Sequence, residues 1–272
     1  MLKLYHDHNA VCCQKVELTL CEKAVSYDAQ IISLFKSEQY SPEYLKINPR
    51  GVVPTLIHDG SIIIESTLVC EYINDSFPGM ALMPESPLEK AGVRLWTKLV
   101  DDEIHEAGST LSFCAMFRDR MLNMPQDERE KRYRNVGNPI REDMYRSSVD
   151  LGLESPVAFR AIASYELMTR DLENHLAQSG DWISKSGFSL AEICMTPYIA
   201  RIEFLGLIDI WLEERPRVAE WWERMKKRQS FTTVFTNVLS ATNLEEMSAS
   251  GLKIRNRVAE RREEYLHAVV SQ

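Results

Sequence analysis

The hydrophobic period of this chain changes once, near Pro84, and that change limits what it can fold into. Before it, short runs of period 2 and period 3.6 alternate. After it, apolar residues recur every three or four positions. Residues 1–6 read as a strand, 14–24 as a helix striped by Val16, Leu20 and Cys21, and 28–33 as a second strand. Ser41 followed by Pro42 starts a short helix over 41–47, a cap residue and then a proline in the first turn. The β-rich runs 52–58 and 61–65 flank Asp59-Gly60, the dipeptide that suits a tight hairpin. Ser66 reads as the cap of a helix over 66–77, striped by Leu68, Val69, Tyr72 and Ile73 and stopped by Pro78-Gly79. The order β-α-β-α-β-β-α predicts a small α/β domain over residues 1–80.

The second pattern predicts an all-α domain over 86–240, with long helices at 87–117, 157–176, 189–205 and 216–228. Ser189 and Glu192 have the S-x-x-E spacing of a capping box. The stretch 118–154 holds eight basic and eight acidic residues among 37. It reads as a solvated insert or as a lid over a binding cleft. The tail, 241–272, reads as a surface helix or a partly disordered segment.

Composition narrows the function. A chain of 272 residues has room for two domains, and 44% hydrophobic with 26% charged residues is globular usage. A net charge of -8 without a long Lys/Arg block argues against nucleic acid as a partner. No run approaches the roughly 20 apolar residues that span a bilayer, so no membrane is expected. The N-terminus lacks a basic region followed by a long apolar one, and no secretory signal is read there. The six cysteines form no CxxC and lack metal-ligand spacing. Reduced thiols, a cytoplasmic location and no metal are the expectation.

Several of these segments resemble the glutathione S-transferase superfamily. INPRGVVPTLIHDGSIIIESTLVCEYI, residues 47–73, places a Val-Pro before a hairpin and an acidic-Ser pair at a helix start. SLAEI, residues 189–193, is similar to the family's S-x-x-D box. The resemblance covers residues 2–77 almost element by element and the helical half in general plan. It implies a thioredoxin-like domain followed by a helical bundle, glutathione as cosubstrate, and a homodimer. It further implies a cis bond before Pro54, with the Val53 backbone pairing with the cysteinyl part of glutathione. Glu65 and Ser66 would hold the γ-glutamyl end, Ser66 both capping the helix and binding the ligand. Gln39 or Lys36 would hold the glycyl carboxylate, and Arg50 is near enough in sequence to matter.

The activating residue differs among classes of this family, where a Tyr, Ser or Cys follows the first strand. Here no serine lies between Tyr5 and Lys15, and Cys12 stands where zeta-class enzymes and tetrachlorohydroquinone reductive dehalogenases carry a cysteine. Ala10 and Val11 replace the serines just upstream. A cysteine at the start of a helix gains thiolate character from the helix dipole. Cys12 is the leading catalytic candidate and Cys13 the next, the bland alternative for both being a small buried apolar residue. His6, His8 and Asn9 are possible donors near the sulfur or simply structural. In the helical half, Phe113, Met116, Phe117, Tyr198, Arg201 and Phe204 are candidates for the electrophile pocket or for core. Arg201 needs a partner for its charge, a substrate anion being one option.

Residues 188–231, with ARIE and ERP segments, resemble the reductive dehalogenases. Residues 46–78 and the NVGNP of the insert resemble the glutathione-dependent β-etherases of lignin breakdown. The function implied is a glutathione-dependent transfer to a small aromatic electrophile, by ether cleavage or dehalogenation. A Cys-dependent thiol–disulfide or isomerase activity and a non-catalytic interaction role are the alternatives.

Overall fold

The computed structural model describes residues 1–135 and 138–270. Val136 and Gly137 of the NVGNP stretch, and Ser271 and Gln272 of the tail, lie outside the described residues. The chain packs as two units. One comprises Met1–Asp101, His175–Tyr198 and Glu220–Ser240, the other Asp102–Asn174, Ile199–Ala219 and 241–272.

The first unit is built on a four-stranded sheet of order β2-β1-β3-β4, formed by β1 (Leu2–His6), β2 (Asp28–Ile31), β3 (Thr55–His58) and β4 (Ser61–Ile63). β1 pairs parallel with β2, Lys3 opposite Asp28, and antiparallel with β3, Leu4 opposite Leu56. β3 and β4 form the hairpin that Asp59-Gly60 announces. Asp59 has φ 48° and Gly60 φ 87°, the paired positive values that a two-residue turn requires. The strands are shorter than their sequence runs. Residues 52–54 bend away before β3, and 64–65 turn into the next helix.

α1 (Val11–Glu22) packs against α3 (Ser66–Ser76), and its buried positions include Lys15 and Glu17 as well as Val16, Leu18 and Leu20. Between β2 and β3 lie a one-turn helix at Glu38–Tyr40 and α2 (Pro42–Leu45), where the Ser41 hydroxyl caps Tyr44 N–H as its position suggests. α4 (Pro87–Leu99) follows. Later in the chain, Leu190 N–H donates to Leu82 C=O at 2.8 Å, and Arg228 holds Glu22 through two bonds of 2.7 Å. Those contacts tie residues 175–198 and 220–240 to the sheet.

The second unit is helical. α5 (His105–Ser112) and α6 (Arg118–Leu122) are joined by a π-helical turn, Phe113–Phe117. The stretch 118–154, expected to be a solvated insert or a lid, is largely helical. It forms α6, α7 (Gln126–Asn135) and α8 (Pro139–Leu151) around a small core of Met121, Tyr133 and Val149. Its charges pair with one another. Arg146 grips Glu130 through two bonds of 2.7 Å, donates also to Glu142 four residues before it, and lies 4.3 Å over the Tyr133 ring. Like pairing at helical spacing explains why so polar a segment is ordered.

α9 (Pro156–Ser179), α10 (Leu190–Phe204), α11 (Asp209–Leu212) and α12 (Pro216–Lys226) follow, then the short α13 (Gln229–Phe231). The tail forms two helices, α14 (Ala241–Leu252) and α15 (Arg255–Val270). Within the second unit α14 comes so close to the end of α10 that a Cβ on Gly251 would lie 1.9 Å from Leu205 C=O. Glu166, 4% exposed, accepts from Arg215 and, at 2.6 Å, from Arg262 of α15. Among the described residues no helix is long and apolar enough to cross a membrane.

Candidate active site

The site grows from residues 44–55 of the first unit. Asn48 accepts the Arg50 N–H at 3.1 Å, a local turn that starts the loop. The Tyr44 hydroxyl and the Asn48 amide both donate to Val52 C=O, at 2.7 and 2.9 Å, and both also engage Thr55 Oγ1. This scaffold holds the Val53-Pro54 peptide bond, which is cis as the resemblance implied. The Val53 carbonyl accepts from the Cys12 thiol at 3.2 Å.

Cys12 is the second residue of α1, and Ala10 is the cap. The N–H groups of a first helical turn have no intrahelical partner, so their positive ends gather around it. Cys12 is half-buried and Cys13 fully buried, against Tyr44 and Val53. A hydrogen bond from the Cys13 thiol holds the Cys12 pKa below that of an ordinary cysteine. The Lys15 charge and the Cys13 N–H add to this, while burial opposes it. Burial raises Cys13 well above the ordinary range.

Lys15 is 1% exposed. It donates to Thr67 Oγ1 at 2.7 Å and to Asp101 at 2.9 Å. Burial works against its charge, but Tyr198, Cys194 and Asp101 outweigh it and keep the ammonium protonated. Nothing in the linear sequence marks Lys15 as a buried cation. Its signal is only that a lysine falls on the helix face turned toward α3.

Glu65 is the cap residue of α3, with φ 68°, and it pairs with Arg50. Ser66 is therefore the first helical residue rather than the cap, and the cap residue forms no side-chain cap bond. A non-glycine residue at that φ costs on the order of 1–3 kcal/mol, which the surrounding structure must hold in place. Arg50 thus joins the site more firmly than its position alone suggests. Gln39 packs by its backbone on Gly51, and its buried Oε1 has no hydrogen-bond partner among the described residues. Lys36 is exposed on the preceding turn.

The structure therefore gathers Cys12 with Val53-Pro54, and Arg50 with Glu65-Ser66. In the second unit, Phe113, Met116 and Phe117 share one π-helical turn, an irregularity frequent at functional sites. Phe113 and Phe117 lie 6.5 Å apart and Phe117 is exposed. Arg201 is 9% exposed and donates to Ser112 Oγ at 3.5 Å, so its charge has a partner inside the protein. Tyr198 is fully enclosed, and burial raises its pKa. A surface cavity of about 520 Å³ between Trp182, Arg224, Arg228 and Glu22 shares no lining residue with the Cys12 neighbourhood.

Residues 11–76 match the family model for the glutathione S-transferase N-terminal domain. Protein LigF of Sphingobium sp. (strain SYK-6) is 30% identical over 241 residues, 86% of this chain and 93% of that protein. The chain belongs to the glutathione S-transferase family of enzymes. The crystal structure of beta-etherase LigF from that strain matches with a TM-score of 0.77, over 87% of this chain and 99% of that one. The tetrachloro-p-hydroquinone reductive dehalogenase of Sphingobium chlorophenolicum is 27% identical over 240 residues, 85% of this chain and 94% of that protein.

Proposed function

We propose that this enzyme uses the thiolate of bound glutathione to attack carbon in a small aromatic electrophile, displacing an aryloxide or a halide. The observation that carries the reading is the Cys12 thiol 3.2 Å from the Val53 carbonyl, beside cis-Pro54. An extended peptide pairs with such a backbone edge through main-chain hydrogen bonds. The cysteinyl part of glutathione would take that edge, setting its sulfur near Cys12 and the N-terminus of α1. Glu65 receives the γ-glutamyl ammonium. Ser66 and the free N–H groups of the first turn of α3 receive the carboxylate. Gln39 serves the glycyl end by donating from its side-chain Nε2, with Lys36 as an outer cation.

Fixing the nucleophile in attack geometry and surrounding it with positive dipoles lowers the barrier without a separate base. Arg201 and Tyr198, partnered and enclosed, take structural roles in this reading.

Cys12 adds a reductive route. Its thiolate attacks the sulfur of a glutathione conjugate, forming a Cys12–glutathione disulfide and releasing the organic group as a carbanion that takes a proton. A second glutathione thiolate then reduces that disulfide, leaving Cys12 free and one molecule of oxidised glutathione. Calorimetric titration of glutathione into wild type and Ser66→Ala tests the site, with binding at least tenfold weaker in the variant. Cys12→Ala should retain displacement of aryloxide and lose reductive turnover. Undiminished reductive turnover rejects the Cys12 step.

A second reading, thiol–disulfide or isomerase activity centred on Cys12, is favoured by its lowered pKa and by the lack of a serine upstream. A stable adduct of about 305 Da on Cys12 after treatment with oxidised glutathione supports it. The working form is proposed as a cytoplasmic homodimer, which sedimentation of the purified protein tests.

A further inference from the structure

We propose that His6, His8 and Glu17 bind one divalent ion of the zinc type at the base of the β1–α1 loop. His6 ends β1, His8 lies in the loop, and Glu17 projects from the middle of α1. Their ligand atoms lie within 4.8 Å of one another. His6 Nδ1 is 2.9 Å from one Glu17 oxygen, and His8 Nδ1 is 3.1 Å from the other. Zinc bonds of about 2.0–2.2 Å in tetrahedral geometry separate ligand atoms by roughly 3.3–3.6 Å. The two histidine–carboxylate distances fall a few tenths of an ångström short of that spacing, and the whole set lies within 4.8 Å.

The donor set suits a borderline transition ion. Two imidazoles and one carboxylate recur at zinc sites that keep a fourth position for water. The surroundings give a reason for the grouping to hold still. His8 C=O accepts from Gln14 Nε2 at 2.7 Å. Asp7 accepts the N–H groups of Asn9 and Leu34 at 2.8 and 3.0 Å, fixing the loop that carries His8. His6 is fully buried and Glu17 5% exposed, while the His8 side chain is 37% exposed and gives the ion its way in.

The sequence expectation of no metal rested on cysteine spacing, whereas this site contains no sulfur. The bound ion would brace the end of β1 against α1, the frame in which Cys12 is set.

Untagged, metal-stripped protein titrated with Co²⁺ tests the site, with Zn²⁺ competition for affinity. The expected result is one ion per chain, a visible absorption without sulfur-to-cobalt charge transfer, and displacement by Zn²⁺. Binding should weaken at least tenfold in Glu17→Gln and in His8→Ala, the latter at a half-exposed position where folding is preserved. Absence of saturable binding at micromolar metal overturns the proposal. So does unchanged affinity in folded His8→Ala, or a charge-transfer band that disappears in Cys12→Ala. None of these outcomes depends on glutathione binding.

Discussion

Cys12 has neighbours that pull its titration in opposite directions. Donating to Val53 C=O favours the thiol, whereas the Cys13 thiol, the Lys15 charge and the helix N-terminus favour the thiolate, and the second group wins. Removing the Cys13 donor should therefore make Cys12 harder to ionise. In Cys13→Ala the pH midpoint for alkylation of Cys12, followed by peptide mass spectrometry, is expected to move upward. An unmoved midpoint would show that the neighbouring thiol does not set the ionisation. At this scale the cis bond at Val53-Pro54 and the strand-to-helix turn at Glu65-Ser66 were legible because they depend on neighbours in sequence, although the cap is Glu65 and not Ser66. Arg50 was much less so, since its role depends on Glu65 returning to it across a hairpin. Tyr44 and Asn48 escaped notice altogether, as their side chains act on backbone atoms that no pattern reveals.

At the scale of elements, local rules held where the signal was local. The Asp59-Gly60 turn and the Ser41 cap formed as read. The box at α10 also closed, Glu192 accepting from Ser189 N–H at 2.9 Å and from the Ser189 hydroxyl at 2.6 Å. Burial pushes the Glu192 carboxyl up to about 7, from 4.5 in an exposed setting. Between those values the folded chain keeps a proton that the unfolded chain has lost, so this group makes stability fall as pH rises from 4.5 to 7. The full effect is about 3 kcal/mol. Urea denaturation across that window should show a flatter slope in Glu192→Gln than in wild type. The same slope in both would assign the dependence to other groups. Gly251→Ala tests the α14 approach, with an expected loss of about 2–3 kcal/mol on chemical denaturation, because Leu205 C=O already occupies the space. The helices of the charged stretch were not legible because ion pairing and a small core, rather than an apolar stripe, hold α7 and α8.

At the scale of the whole molecule, chain order and packing group the residues differently. Residues 175–198 and 220–240 belong with the sheet through Leu82, Glu22 and their partners. In the other unit, Glu166 is the buried anion shared by Arg215 and Arg262, which secures α15. Glu166→Ala takes the shared buried carboxylate from two guanidinium groups and should lower stability by about 3–5 kcal/mol in urea denaturation. A loss under 1 kcal/mol would mean that water solvates both cations.

The sequence by itself determined the alternation of strands and helices, the hairpin, the capping box and the stretch 47–73 that carries the family resemblance, because each depends on periodicity or on residues a few positions apart. Only the tertiary structure decided which charges are buried. It placed Lys15 against Thr67 and Asp101, and it brought His6 and His8 onto Glu17. It also made Glu166 a shared anion. The physical reason is desolvation: a charged side chain reads the same in any sequence, and its energy is set by which distant partner replaces the water it loses on folding.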